Sequence, residues 1–185
     1  MKTENKILLI LDLDETLIHA TRSELHKKPD FVYADYNVYI RPNLKWFLEC
    51  IHQHFKIAIW SSADDIYVED IVDKIKPDSV DFEFVWGRSR CTTKRNFELD
   101  EYVHEKRLKK IKNQGFLLEK ALIVDDSPEK TRDNFGNVIY IAPFKGEMPD
   151  DSLLNLHEYL MTIKEVENVR KIEKRGWENR TSNNN

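Results

Sequence analysis

Four short apolar segments recur along the chain, each bounded by polar residues. The first, Ile7–Leu11, is flanked by charge on both sides. An unbroken apolar run of this kind is typical of a strand buried on both faces of a parallel sheet. Similar segments cover Lys56–Trp60, Ala121–Val124 and Val138–Ala142. The pattern therefore predicts four strands of a buried sheet.

Segments with helical periodicity lie between these strands. They are predicted at residues 43–54, 64–75 and 101–113, and Gly115 closes the last of them as a C-cap. Alternation of strands and helices indicates an α/β fold with an open sheet.

Two regions fall outside this alternation. Residues 31–40 have strand-like composition, and we predict a β-hairpin flap over the site within residues 22–40. From Asp150 onward the chain is predicted to be helical through about Arg175, and residues 181–185 are polar and predicted to fray. We therefore expect one domain over residues 1–165, followed by an extension over residues 166–185.

Composition narrows the class of protein. The chain has 185 residues and a net charge of -4, with acidic and basic residues interspersed, which disfavours nucleic acid or an anionic membrane as the main partner. Cys50 and Cys91 lie far apart and lack metal-ligand spacing, which favours a reducing compartment. No signal peptide or membrane span is visible. We expect a soluble monomer in the cytoplasm, or in the nucleus if the source is eukaryotic.

Polar residues suited to phosphoryl transfer follow three of the predicted strands. Asp12 and Asp14 follow the first strand, Ser61 follows the second, and the pair Asp125 and Asp126 follows the third. Ligands of open α/β sheets bind beyond the carboxyl ends of the strands, so these side chains should converge there.

Hydrolysis of a phosphate monoester needs a nucleophile, an acid for the leaving oxygen, and positive charge near the phosphoryl group. If the strand pattern persists, Asp12 and Asp14 point to the same side. Close carboxyl groups drive their pKa values apart, so one attacks while the other carries a proton. We assign attack to Asp12 and acid, then base, catalysis to Asp14.

A magnesium site fits the same residues. Mg²⁺ prefers oxygen ligands, which Asp12, the Asp14 backbone carbonyl and Asp126 can supply. Ser61, at a strand end before a helix, is suited to binding phosphate oxygens. A lysine from residues 101–113 would supply positive charge.

These motifs resemble the haloacid dehalogenase superfamily, whose phosphatases carry Asp-x-Asp-x-Thr/Val, a Ser or Thr, a Lys and a late acidic pair. The resemblance spans about residues 6–165. The segments LDLDETLIHA, YIRPNLKWFLE, IAIWSSAD and ALIVDDSPEK look like phosphatases of the RNA polymerase II C-terminal domain and their small relatives, also called the nuclear-LIM-interactor-interacting-factor group. This implies a Rossmann-like three-layer fold with a central, mostly parallel sheet and a small hairpin flap.

The resemblance also implies roles for individual residues. The catalytic residues would be Asp12, Asp14 and Lys109. The residues that bind substrate or phosphate would be Thr16, Ser61, Ser62, Arg88 and Lys109. The metal ligands would be Asp12, Asp14, Asp126 and Asp125.

Two of these assignments have competitors nearby. Lys109 fits the family lysine by its distance ahead of the acidic pair, but Lys110, Lys106 and Lys112 are alternatives. For the arginine that reads the phosphorylated residue, Arg90 competes with Arg88.

Each motif also has a purely structural interpretation. Asp126 or Ser127 before Pro128 could start a helix, and Ser62 to Asp65 has the spacing of a capping box. The coincidence of three suitable strand ends favours catalysis.

Three functions remain open at this point. The first is a Mg²⁺-dependent phosphoserine/phosphothreonine protein phosphatase of the C-terminal-domain type, working through an aspartyl-phosphate. The second is a phosphatase of small metabolites or nucleotides. The third is a non-catalytic interaction module, as in the mitochondrial import subunit that shares this fold, but the joint presence of the site residues argues against it.

Overall fold

The computed structural model describes residues 6–96 and 101–181, so the expectations for the first five residues and for the polar end at 182–185 lie outside it. Its strands, in chain order, are β1 (Leu8–Leu11), β2 (Ile18–Thr21), β3 (Phe31–Tyr33), β4 (Tyr36–Ile40), β5 (Lys56–Trp60), β6 (Phe82–Trp86), β7 (Thr92–Asn96), β8 (Glu101–Glu105), β9 (Ala121–Asp125) and β10 (Val138–Tyr140). Its α-helices are α1 (Leu44–Ile51), α2 (Asp65–Ile75), α3 (Pro128–Thr131), α4 (Ser152–Ile163) and α5 (Glu178–Thr181).

A five-stranded parallel sheet in the order β10-β9-β1-β5-β6 forms the centre of the fold. Strand β1 lies in its middle, where Leu9 pairs with Ile57 on one side and Leu122 on the other. All four residues of β1 are buried, as the apolar run predicts. The four predicted strands are present, and β6 is an edge strand that the pattern did not predict.

The two faces of the sheet bury separate sets of side chains. Leu9 and Leu11 belong to the larger cluster, together with the apolar faces of α1, α2 and α4. Leu8 and Ile10 point to the other face, where Trp60 and Ile111 pack. The alternation of β1 side chains thus holds helical layers on both faces, and the predicted α/β class is confirmed.

The predicted helix at residues 101–113 is wrong. Residues 101–105 form β8, which pairs with β7 in a two-stranded antiparallel sheet. Leu108–Gln114 then forms a 3₁₀ helix, which Gly115 ends with φ of 82°. Strand β8 runs from the exposed Glu101 to the buried Glu105, and periodicity over so short a segment does not distinguish a strand from a helix.

A second small sheet, in the order β2-β4-β3, lies in the region predicted as the flap. It contains an additional strand, β2, immediately after the aspartate motif. The side chain of Arg41, at the end of β4, is buried and binds the Thr16 carbonyl at 3.0 Å and the Asp150 carboxylate at 2.9 Å. The small sheet is therefore tied to the loop that carries the motif.

The C-terminal part departs from the predicted continuous helix. Helix α4 ends at Ile163, and a 3₁₀ turn at Val169–Lys171 and the short helix α5 follow. Val169 and Trp177 are buried in the larger cluster, and the Trp177 Nε1 donates to the Tyr140 carbonyl at 2.7 Å. Beyond residue 165 the chain thus continues to pack on the domain. In the described ranges, none of the helices has the length and apolarity needed to cross a membrane.

Candidate active site

A tight loop after β1 presents the two motif aspartates. The amide of Asp12 still pairs with the Val124 carbonyl at 2.9 Å, so Asp12 extends the strand. The Leu13 carbonyl then accepts from the amides of Leu17 and Ile18, and Glu15 takes a left-handed φ of 59° to close the turn. Asp12 is buried at the carboxyl edge of the sheet, whereas Asp14 is half-buried.

Lys106 lies between two of the aspartates. Its Nζ is 2.5 Å from Asp12 Oδ1 and 2.6 Å from Asp125 Oδ2, and all three side chains are buried. Burial alone would lower the pKa of Lys106, but the charges of Asp12 and Asp125 outweigh it and raise that pKa. The lysine is therefore a permanent positive charge against Asp12.

The assignment of the site lysine to Lys109 does not match this geometry. Lys109 is exposed in the 3₁₀ helix, and Lys110 donates to the carbonyls of Arg90 and Cys91. The predicted helix gave no reason to prefer Lys106, which comes directly after strand β8. Lys106 was one of the open alternatives.

The backbone of Lys106 is fixed by the segment around α3. Its amide donates to the Lys130 carbonyl at 2.8 Å, and its carbonyl accepts from the side chain of Asn134. Asn134 also accepts from the amide of Leu108 at 2.9 Å. These bonds bring the end of β8 to the edge of the central sheet, although β8 pairs only with β7 there.

Asp12, Asp125 and Asp126 form a cluster whose ligand atoms lie within 4.8 Å of one another. Burial, reinforced by the charge of Asp12, raises the pKa of Asp125 to about 7 and raises that of Asp126. In the described parts of the chain, Asp12 Oδ2 is buried without a hydrogen-bond partner. Buried oxygens with surplus negative charge fit a hard divalent cation.

The members of the cluster differ in how far they are engaged. Asp125 accepts from Lys106 and, at 2.9 Å, from the Ser127 amide, so both of its oxygens have donors. Asp126 accepts from the Ser127 hydroxyl at 3.1 Å. Asp12 and Asp126 are thus better placed to hold a metal than Asp125, which anchors Lys106.

Asp14 is held by two hydroxyl groups. Ser61 Oγ donates to its Oδ2 at 3.2 Å, and the Tyr67 hydroxyl donates to its Oδ1 at 2.7 Å. Burial raises the pKa of Asp14, and the charge of Asp12 adds to this effect against the lowering by the two hydrogen bonds. This is the direction needed by a group that carries a proton.

The remaining predicted residues lie at different distances from this centre. Arg88 is exposed, and its Nε donates to the Ser62 carbonyl at 2.9 Å, next to Ser61. Arg90 instead lies over the ring of Trp86 at 5.4 Å. The structure shows no contact from the half-buried Ser62 side chain to the cluster, and the buried Thr16 hydroxyl has no hydrogen-bond partner in the described ranges.

The capping interpretations can also be compared with the structure. Asp64, and not Ser62, caps α2 by accepting from the Ile66 amide. Pro128 does start α3, but Ser127 makes no side-chain cap and binds Asp126 instead. The hydroxyls of Ser61 and Ser127 thus bind carboxylates, whereas capping would have directed them to helix amides.

Tyr67 is the residue of this site that the sequence reasoning missed. It lies in the first turn of α2, where an aromatic residue in an amphipathic helix gives no sign of contact with a carboxylate. Its position six residues after Ser61, which lies at the preceding strand end, is a signal that could have placed it near the site.

Residues 7–170 match the model of the family described as NLI interacting factor-like phosphatase. The chain is 28% identical over 173 residues to CTD small phosphatase-like protein 2 of Dictyostelium discoideum, covering 89% of this chain and 29% of the relative. It is 27% identical over 180 residues to CTD nuclear envelope phosphatase 1B of Danio rerio, covering 89% of this chain and 70% of the relative. The chain thus spans under a third of the first relative and more than two thirds of the second.

The fold is shared with a solved structure of Fcp1, described as an essential RNA polymerase II CTD phosphatase. The TM-score is 0.58 at 19% identity, covering 78% of this chain and 44% of that one. This similarity confirms the predicted architecture, with its central parallel sheet and flanking helices.

Proposed function

Because the chain belongs to the NLI interacting factor-like phosphatase family, we propose that it is a phosphomonoester hydrolase that forms an aspartyl-phosphate on Asp12. The contact of Asp12 with Lys106 is the observation that carries this proposal. A buried carboxylate that keeps one oxygen unpartnered, while a lysine binds the other, is arranged for attack on the electrophilic phosphorus of a phosphate ester.

The first step uses Asp12 and Asp14. An oxygen of Asp12 forms a bond to phosphorus, the bond from phosphorus to the leaving oxygen breaks, and protonated Asp14 gives its proton to that oxygen. In the second step Asp14 takes a proton from water as the water oxygen attacks the phosphorus of the aspartyl-phosphate. Inorganic phosphate leaves, and Asp12 is restored.

Charge around the phosphoryl group comes from residues of three strand ends. Lys106 offsets the charge of Asp12, and Ser61 offers a hydroxyl to a phosphate oxygen once substrate displaces its contact with Asp14. Asp12, the Asp14 carbonyl and Asp126 would hold Mg²⁺, which would supply positive charge for the nucleophile and the phosphate.

We propose that the substrate is a phosphoserine or phosphothreonine protein segment. The names of the relatives support this class, as does Arg88, which is exposed next to the phosphate-binding Ser61 and could contact an extended chain. The proposal includes a cytoplasmic or nuclear location, since Cys50 and Cys91 are both free thiols.

Hydrolysis of p-nitrophenyl phosphate by wild type and Asp12→Asn, with Mg²⁺ and with a chelator, tests the reaction. We expect metal-dependent turnover in the wild type and its loss in Asp12→Asn, while Asp35→Asn in the exposed β3–β4 turn keeps full activity. Inactivity of a well-folded wild type would contradict the proposal. Phosphate release from phosphoserine peptides and from a metabolite panel then separates the two substrate classes.

A further inference from the structure

The two oxygens of the Asp14 carboxyl group have different partners. Oδ1 accepts from the Tyr67 hydroxyl at 2.7 Å, the usual distance for a bond between two oxygens, whereas Oδ2 has a longer contact of 3.2 Å with Ser61 Oγ. The Ser61 hydroxyl also accepts from the Ala63 amide at 3.0 Å. Tyr67 therefore makes the shorter contact, and it approaches the oxygen on the far side from Ser61.

We propose that Tyr67 is a positioning residue that directs the proton of Asp14 toward the leaving group. In a protonated carboxyl group the oxygen that accepts from the phenol acts as the carbonyl oxygen, so the proton of Asp14 resides on Oδ2. Oδ2 faces Ser61, which is the residue assigned to the phosphate. This inference rests on the proposed function, because it concerns the acid of that reaction.

Tyr67 is itself held in place by the small sheet. The ring of Tyr33, on β3, meets the Tyr67 ring edge-on, with centroids 5.5 Å apart and an interplanar angle of 75°. The Tyr33 hydroxyl donates to Asp70 at 2.7 Å, three residues beyond Tyr67 on the same helix. Contacts on α2 and β3 thus limit the positions that the Tyr67 hydroxyl can take.

The proposal predicts an effect that depends on the leaving group. Phenolate from phenyl phosphate is a strong base, with a pKa near that of tyrosine, about 10, and it needs a proton as the bond to phosphorus breaks. The nitrophenolate from p-nitrophenyl phosphate is a much weaker base and leaves with little help. Misdirecting the proton should therefore slow the first substrate far more than the second.

The test compares kcat/KM for these two substrates, because kcat/KM reports transfer to Asp12 and not the later hydrolysis. For Tyr67→Phe we expect kcat/KM to fall at least about 10-fold more with phenyl phosphate than with p-nitrophenyl phosphate. The matched control is Tyr102→Phe, which loses the same phenol hydroxyl from a side chain that is 65% exposed on β8. It should give the wild-type ratio of the two rates.

The outcomes separate this inference from the proposed function. Equal losses on both substrates, or no loss, in a Tyr67→Phe variant that unfolds at the wild-type temperature would overturn the role of Tyr67 and leave the aspartyl-phosphate reaction standing. Inactivity of the wild type on both substrates would instead contradict the proposed function itself.

Discussion

Arg41 and Lys106 are both buried cations, with 1% and 0% exposure, but their surroundings differ in charge. Arg41 binds one carboxylate, Asp150, through two nitrogens at 2.9 and 3.0 Å, and two backbone carbonyls. Lys106 lies against two carboxylates, Asp12 and Asp125, with a third close by. The arginine is balanced by its partners, whereas the lysine leaves its site negative.

The difference teaches how burial of charge can serve structure or chemistry. A balanced and fully hydrogen-bonded ion pair connects distant segments of the chain. Removing one partner leaves the other as an unpaired buried charge, which destabilises the fold. An unbalanced cluster keeps an oxygen available, as at Asp12 Oδ2, and attracts a cation or the developing charges of a reaction. Mutation of Lys106 should therefore mainly lower activity, whereas mutation of Arg41 should mainly lower stability.

The largest expected effect is on catalysis by Lys106→Met. Removing the charge that Asp12 needs should lower kcat/KM for p-nitrophenyl phosphate about 10³-fold, as loss of a main electrostatic group does in other active sites. Lys109→Met, three residues away and exposed, is the matched control and should keep wild-type activity. Similar losses in both variants would mean that Lys106 is not the lysine of the reaction.

The next effect is on stability, from Arg41→Leu. The substitution removes the cation beside Asp150, which keeps its bond from the Ser152 amide, and removes the arginine donors to the carbonyls of Thr16 and Ala142, so the free energy of unfolding should fall by about 3 kcal/mol. Urea denaturation measures it, and Arg41→Lys should lose less because the charge stays. A fall in activity of Arg41→Leu with unchanged stability would place Arg41 among the functional residues instead.

The buried anion Glu105 extends the comparison, and its removal should have a smaller effect on stability. Glu105 ends β8 and accepts from Lys94, Arg107 and Arg132 at 2.7 to 3.0 Å. Burial alone would raise the pKa of Glu105, but hydrogen bonds from these cations outweigh it and hold the pKa below its usual range. The cations around Glu105 thus balance its charge, and we expect these contacts to stabilise the fold.

Glu105→Gln should therefore reduce the free energy of unfolding by about 2 kcal/mol at neutral pH. A lowered pKa in the folded state gives stability that is present above the unfolded pKa, near 4.3, and is lost as pH falls through the folded value. The difference between variant and wild type should accordingly shrink in urea titrations below about pH 4. A difference that stays constant with pH would show that the charge of Glu105 does not stabilise the fold.

Much of the fold follows from local pattern. The apolar runs before Asp12, Ser61 and Asp125 predict the central strands because parallel strands bury both faces. The same rule brought those polar residues together, since the strands end at one edge. Strand β6 was not predicted because Glu83 interrupts its apolar residues, so it lacks the unbroken run of the central strands.

The rest depends on contacts between distant parts of the chain. Lys106 reaches the site because α3 fixes its backbone, and no spacing in residues 101–113 encodes that contact. Tyr67 faces Asp14 because α2 packs where it does, and Arg41 finds Asp150 across 109 residues. Local sequence reasoning specifies which residue types are available, whereas tertiary packing decides which of several lysines is buried.

The way in which the two-stranded β7–β8 sheet is attached affects how activity would be lost. Strand β8 ends just before Lys106. Within the described residues this sheet is held to the rest of the domain by hydrogen bonds and ion pairs, including those of Glu105 and Lys106, and not by pairing with the central strands. Local opening of such a unit can require less free energy than global unfolding. Loss of activity and global unfolding would therefore be separate events. A molecule whose five-stranded sheet is intact could lose activity reversibly when Lys106 moves out of the site.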